Sequence, residues 1–129
     1  LIAVVETLKY LAQGGRIGKA AYLFGSALQI VPILTVNDEG IVAPASIIRK
    51  KGNTIPTMLS ILKKQTGENS KIRISVMHAD ALEQAKILKQ SLLGLYPGSS
   101  IAIEEFTPVM GAHTGPGLFG LGYLVDSDL

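Results

Sequence analysis

Cysteine and tryptophan are absent, and only 17% of the residues carry charge. Without cysteine there can be no disulfide and no thiolate metal site, which fits a reducing compartment and makes the cytoplasm the expected location. Charged residues usually make up roughly a quarter of a globular domain; here apolar residues reach 47% instead. A chain so poor in charge either builds an unusually large core or covers apolar surface with something outside itself. The net charge of +2 is small, and no basic run is interleaved with aromatics. A nucleic-acid partner is therefore not expected, and Arg49-Lys50-Lys51 and Lys63-Lys64 read as solvated faces. Long apolar runs are also missing. Residues 20–36 are broken by Gly25, Ser26, Gln29 and Pro32, short of the ~20 apolar residues of a membrane span. The first residues lack the basic start of a signal peptide. A chain that opens on Leu1 and runs straight into apolar periodicity reads as a piece of a longer protein.

Recognisable nucleotide and nucleophile motifs are missing as well. There is no G-x-G-x-x-G, no Walker lysine and no G-x-S-x-G elbow. With two histidines and no metal-ligand spacing, no metal site is expected. Glu104 and Glu105 are adjacent on a predicted strand, so they point to opposite faces and are not a catalytic pair.

What is present suffices for one domain of 129 residues. The spacing of Val4, Val5, Leu8 and Leu11 predicts a helix closed by Gly14-Gly15. A second helix is expected over residues 17–30, apolar on almost all sides and therefore buried on almost all sides. Residues 32–36 and 41–48 read as a hairpin around Asn37–Gly40, with Pro44 marking an edge strand or a bulge. A helix follows over 54–65, then a strand over 71–77 that alternates Ile72, Ile74 and Val76 with wet positions. Asp80-Ala81-Leu82-Glu83 reads as a capping box for a helix to about residue 95. Strands over 100–106 and 117–125 complete the chain. Two β-α-β passages and a hairpin imply an α/β domain, a mixed sheet with helices packed on it.

The best functional candidate is the glycine-rich turn Gly111-Ala112-His113-Thr114-Gly115-Pro116-Gly117. Its imidazole and hydroxyl sit among apolar neighbours, in the kind of loop that brings a backbone close to a ligand. Arg16 opens the second predicted helix, where a cation opposes the dipole. It reads equally as an interdomain salt bridge or as an anion-binding arginine. His78, before the capping box, reads as structural, and Arg49 alone as a surface cation.

Thr7-Leu8-Lys9-Tyr10-Leu11, Gly14-Gly15-Arg16-Ile17, Gly25-Ser26, Pro32-Ile33-Leu34, Glu39-Gly40, Pro44 and Arg49 stand in an order that resembles the second half of the DegV family. The ending resembles that family's His-Thr-Gly-Pro-Gly signature, carried here by residues 113–117. Val31 and Gln13 depart from common basic residues of the family, outside its motifs. The resemblance covers the whole chain and implies that residues 1–129 are a DegV-like C-terminal domain, a two-layer α/β unit without its N-terminal domain. It further implies a bacterial protein that binds a long-chain fatty acid between two domains. Such a protein offers the carboxylate to a separate ATP-binding fatty acid kinase subunit, which makes an acyl phosphate for phospholipid synthesis. On that footing the chain is not itself an enzyme and needs no cofactor beyond the bound lipid. His113, Arg16 and Thr114 would meet the head group, and Arg49 would face the kinase. Ile17, Phe24, Leu28, Met110 and Phe119 would be candidates for the apolar pocket.

Two alternatives belong to other classes. One is a domain like the dihydroxyacetone kinase substrate subunit, whose histidine bonds a ketone; it would need several polar side chains around the site. The other is an interaction domain whose apolar surface meets only protein.

Overall fold

Residues 2–5 are all buried, and alternate side chains go to opposite sides: Ile2 and Val4 join one apolar cluster, Ala3 and Val5 a second. Only a strand divides its side chains this way. The computed structural model describes residues 1–25, 29–67 and 71–126, and in it Ile2–Val4 is strand β1 rather than the start of a helix. A strand buried on both faces reads as a continuous apolar run, which periodicity alone does not separate from a helix. The helix that does form, α1, is confined to Lys9–Gln13 and ends at Gly14.

The second predicted helix is corrected more sharply. Residues Gly18–Leu23 form a 3-10 helix, and Phe24 is already extended at φ −72°, ψ 131°. Glycines at φ 56° (Gly18) and 79° (Gly25) bracket it with left-handed backbone, which an α-helix cannot run through. Tyr22 and Phe24 are exposed, so this segment is not buried on all sides.

The hairpin is as expected: β2 (Val31–Val36) pairs antiparallel with β3 (Val42–Ile48). Ile33 faces Ser46 and Leu34 faces Pro44, so Ala45 is the extra residue of a bulge. β3 is also an edge strand, where Pro44 forfeits no central ladder bond. Next come α2 (Thr54–Thr66), β4 (Ile72–Ala79), α3 (Leu82–Leu95), β5 (Ile101–Glu105), α4 (Pro108–Thr114) and β6 (Leu118–Val125). The strands form one mixed sheet in the order β3-β2-β1-β6-β4-β5. β4 and β5 are its parallel pair, so one β-α-β passage is realised rather than two; β3 and β4 lie apart in the sheet.

The capping box does not form. Asp80 takes φ 51°, α3 starts at Leu82, and the Ala81 N–H donates to His78 Nδ1 at 3.2 Å. The buried imidazole of His78 instead accepts from the turn that precedes the helix, in line with its structural reading. α2 and α3 cover one face of the sheet through Met58, Leu62, Ala85, Leu88 and Leu92. Among the described residues the opposite face carries short elements, with Leu8, Leu11, Ala20 and Leu23 packed on Ala3, Val5, Leu34 and Leu118. Among the described residues no helix is long and apolar enough to cross a membrane.

Candidate functional site

On that second face lies an apolar cleft of about 240 Å³. Its walls are Ala3, Val5, Leu11, Leu34, Val42, Phe106, Met110 and Leu118, and its four polar liners are Arg16, Thr35, His113 and Thr114. Strand register gives it a direction. Val4 pairs with Phe119, which sets Leu118 beside Val5 and brings the end of α4 to that end of β1. Ala3 pairs with Leu34, which sets Leu1 and Val36 at the other end. From Val5 to Leu1 is four residues of strand, about 13 Å at a rise of ~3.3 Å per residue.

The polar liners differ in what they have left to offer. Thr35 donates its hydroxyl to the Leu1 carbonyl at 2.9 Å. Thr114 is buried and donates to the Met110 carbonyl at 2.9 Å. His113 is half-buried in the last turn of α4, and among the described residues its imidazole has no hydrogen-bond partner. Arg16 is exposed at the rim, where Nη1 donates to the Gly14 carbonyl at 3.0 Å. Among the described residues no carboxylate pairs with it, so the rest of its donor fork is free. Among the described residues, the polar groups the cleft leaves unengaged are therefore an imidazole and part of a guanidinium, both beside Gly14, and most of the remaining lining is carbon.

The segment bearing His113 is not a loop throughout. Pro108–Thr114 is the short helix α4, with Thr107 before Pro108 at its start. Pro at the first helical turn explains why a glycine-rich stretch winds up here. The irregular backbone is confined to residues after it, Gly115 at φ 76° and Gly117 at φ 94°.

Of the residues singled out from sequence, Arg16, His113, Thr114 and Met110 meet at this cleft. Ile17 packs half-buried against the second-face cluster. Phe24 is half-exposed in a separate shallow groove with Leu8, Leu23 and Pro32. Phe119 is buried toward α2 and α3 and lines a cleft of about 270 Å³ with Glu6, Lys51, Thr54 and Gln84. Leu28 lies outside the described residues. Arg49 is exposed just beyond β3, next to Lys50 and Lys51, and does not line the His113 cleft; Lys51 pairs with Glu6 at 3.4 Å. Leu11, Leu34 and Val42 were not foreseen as liners. Leu34 and Val42 are placed by strand register and Leu11 by the packing of α1 on the sheet, neither of which a local motif announces.

The architecture is that of a mixed-sheet α/β domain carrying, on one sheet face, an apolar cleft with an imidazole and a guanidinium beside Gly14 among its liners. The chain belongs to the DegV family: the family model described as "Uncharacterised protein, DegV family" matches residues 1–126. A DegV domain-containing protein of Clostridium acetobutylicum is 37% identical over 118 residues, covering 92% of this chain and 42% of the relative. Among solved structures, a fatty acid binding DegV family protein of Streptococcus agalactiae superposes with a TM-score of 0.83 at 25% identity, covering 98% of this chain and 44% of that one. A DegV family protein of Thermus thermophilus, described by its fatty acid binding, gives a TM-score of 0.85 at 29% identity, with coverages of 95% and 43%. The chain spans less than half the length of these relatives.

Proposed function

We propose that this domain forms one wall of a fatty-acid site, completed by the further domain that its longer relatives have room for. The carboxylate lies at His113 and Arg16, and the acyl chain runs along β1 over Ala3, Leu34 and Leu118. The observation that carries the reading is the cleft's polarity: aliphatic and aromatic walls, with the unengaged donors of His113 and Arg16 gathered beside Gly14. Two relatives of the same fold, described as fatty acid binding, support it.

The energetics divide the labour. About a dozen buried methylenes contribute ~0.8 kcal/mol each before ordering costs. A charge-assisted hydrogen bond to the carboxylate adds about 1.5–3 kcal/mol. The tail thus sets affinity and the donors set where the reactive oxygen points. Thr114 joins the head group only by releasing Met110, because its one proton is already committed there.

The domain presents the lipid and leaves phosphoryl transfer to a separate ATP-binding partner of the cytoplasm, met through the exposed Arg49 side. A carboxylate is already ionised and needs no general base to attack phosphorus, so His113 orients and does not move a proton. The product is an acyl phosphate. A triose site would ask for several polar side chains around the histidine, whereas the cleft that His113 lines is walled mainly by apolar residues such as Val5, Phe106 and Met110.

Native mass spectrometry of the full-length protein tests the reading. A co-purifying long-chain fatty acid is expected. Preparations that carry no lipid and take up none from an added mixture would overturn it.

A further inference from the structure

Gly14 has an ordinary right-handed backbone, φ −82° and ψ 0°, so nothing in its own conformation calls for glycine. Its surroundings do. A Cβ at this position would lie 2.7 Å from His113 Nδ1 and 3.6 Å from His113 Cε1, closer than the imidazole can tolerate without moving. The neighbouring Gly15 is the opposite: φ 69°, with open space around the same hypothetical carbon. Meanwhile the Gly14 carbonyl accepts from Arg16 Nη1 at 3.0 Å. One residue therefore touches both of these polar liners of the cleft, the ring through its bare Cα and the guanidinium through its carbonyl. The contact is reciprocated one turn back. A Cβ at Gly115, just after α4, would run into the ring of Tyr10 in α1, so each short helix seats a ring of the other on a glycine.

We infer that Gly14 is a positioning residue for the head-group site, its missing side chain being the seat that fixes the His113 imidazole with Nδ1 turned inward and Nε2 left for the ligand. The inference rests on the fatty-acid reading only for what the imidazole then does; the seat itself is a property of the free protein. Gly14→Ala suits the local backbone, so its cost should come from the ring and from the Tyr10 carbonyl, 3.3 Å from the added carbon. Removing the imidazole abolishes the first contribution and leaves the second.

The experiment uses Gly14→Ala, His113→Ala, the double variant, and Gly111→Ala as a control. Gly111 lies in α4 itself, with open space where its Cβ would go. Imidazole NMR signals of His113 should move in Gly14→Ala and stay in place in Gly111→Ala. Oleate affinity of the full-length protein should fall about tenfold in Gly14→Ala, while the double variant should bind no worse than His113→Ala alone. Unmoved imidazole signals, or an equal affinity loss from Gly14→Ala with and without His113, would overturn the seat. If the signals move and oleate affinity does not, the seat stands and the head-group role of His113 falls. Should Gly14→Ala fail to fold, a folded double variant supports the inference and an unfolded one refutes it.

Discussion

The Thr114 hydroxyl donates to the Met110 carbonyl at 2.9 Å, one turn back in α4. A threonine bonded in this way has no hydrogen left for a carboxylate, although its oxygen can still accept. Thr114→Val keeps the shape and removes the bond. Thermal unfolding should show a loss of about 1 kcal/mol, and oleate affinity should fall less than in His113→Ala. An equal fall would mean that the hydroxyl swings to the ligand on binding.

His113→Ala should cost the full-length protein about 1.5–3 kcal/mol of lipid affinity, roughly ten- to hundredfold. Phosphorylation by the partner should fall further than affinity does, because a head group without its donor loses the orientation that transfer requires. Paired titrations and rate measurements check this. If neither quantity changes, the imidazole is packing alone.

Arg49 does not line the cleft and is exposed beside Lys50 and Lys51. Arg49→Ala should leave lipid affinity within about twofold while acyl phosphate formation with the partner drops, a separation expected of a charge used in docking. A large loss of lipid binding with partner docking intact would move Arg49 into the pocket.

Tyr123 donates to Gln65 Oε1 at 2.6 Å, and burial, with a smaller contribution from Tyr96, pushes its phenol above the ordinary value. An acid whose pKa is raised by folding favours the native state while it stays protonated. That stability is intact below the unfolded phenol's pKa of ~10 and is lost as pH rises through the folded value. Urea midpoints for the parent and Tyr123→Phe should therefore converge as pH is raised from 8 to 11. A constant gap would show that Tyr123 has no part in the alkaline decline.

Sequence carried much of this molecule where one local rule governs. The hairpin around Asn37–Gly40, the one-sided pattern of β4 and the glycine end of α2 each follow from a turn or a period. It failed where burial on two sides erased the period, as at β1, or where a glycine's φ cut a promising apolar run, as at Gly18. The capping box failed because Asp80 takes a left-handed φ of 51° and the helix starts one residue later, with Ala81 at the N-cap. For the site, the motif residues Arg16 and His113 were legible and do line one cleft. The hydrocarbon wall was not, because Leu11, Leu34 and Val42 reach it from separate elements through register and chain crossing. Gly14 was visible as a helix stop and as part of the Gly14-Gly15-Arg16 run, not as the seat of a ring.

Strand β1 is a partition with hydrocarbon on both sides: Ile2 and Val4 on the helical layer, Ala3 and Val5 on the cleft. Its neighbours β2 and β6 clamp it by antiparallel ladders on either edge. Loading the cleft therefore presses on the same backbone that closes the main core. On the fatty-acid reading, amide hydrogen exchange along residues 2–5 becomes a gauge of occupancy, slowing when the cleft is filled.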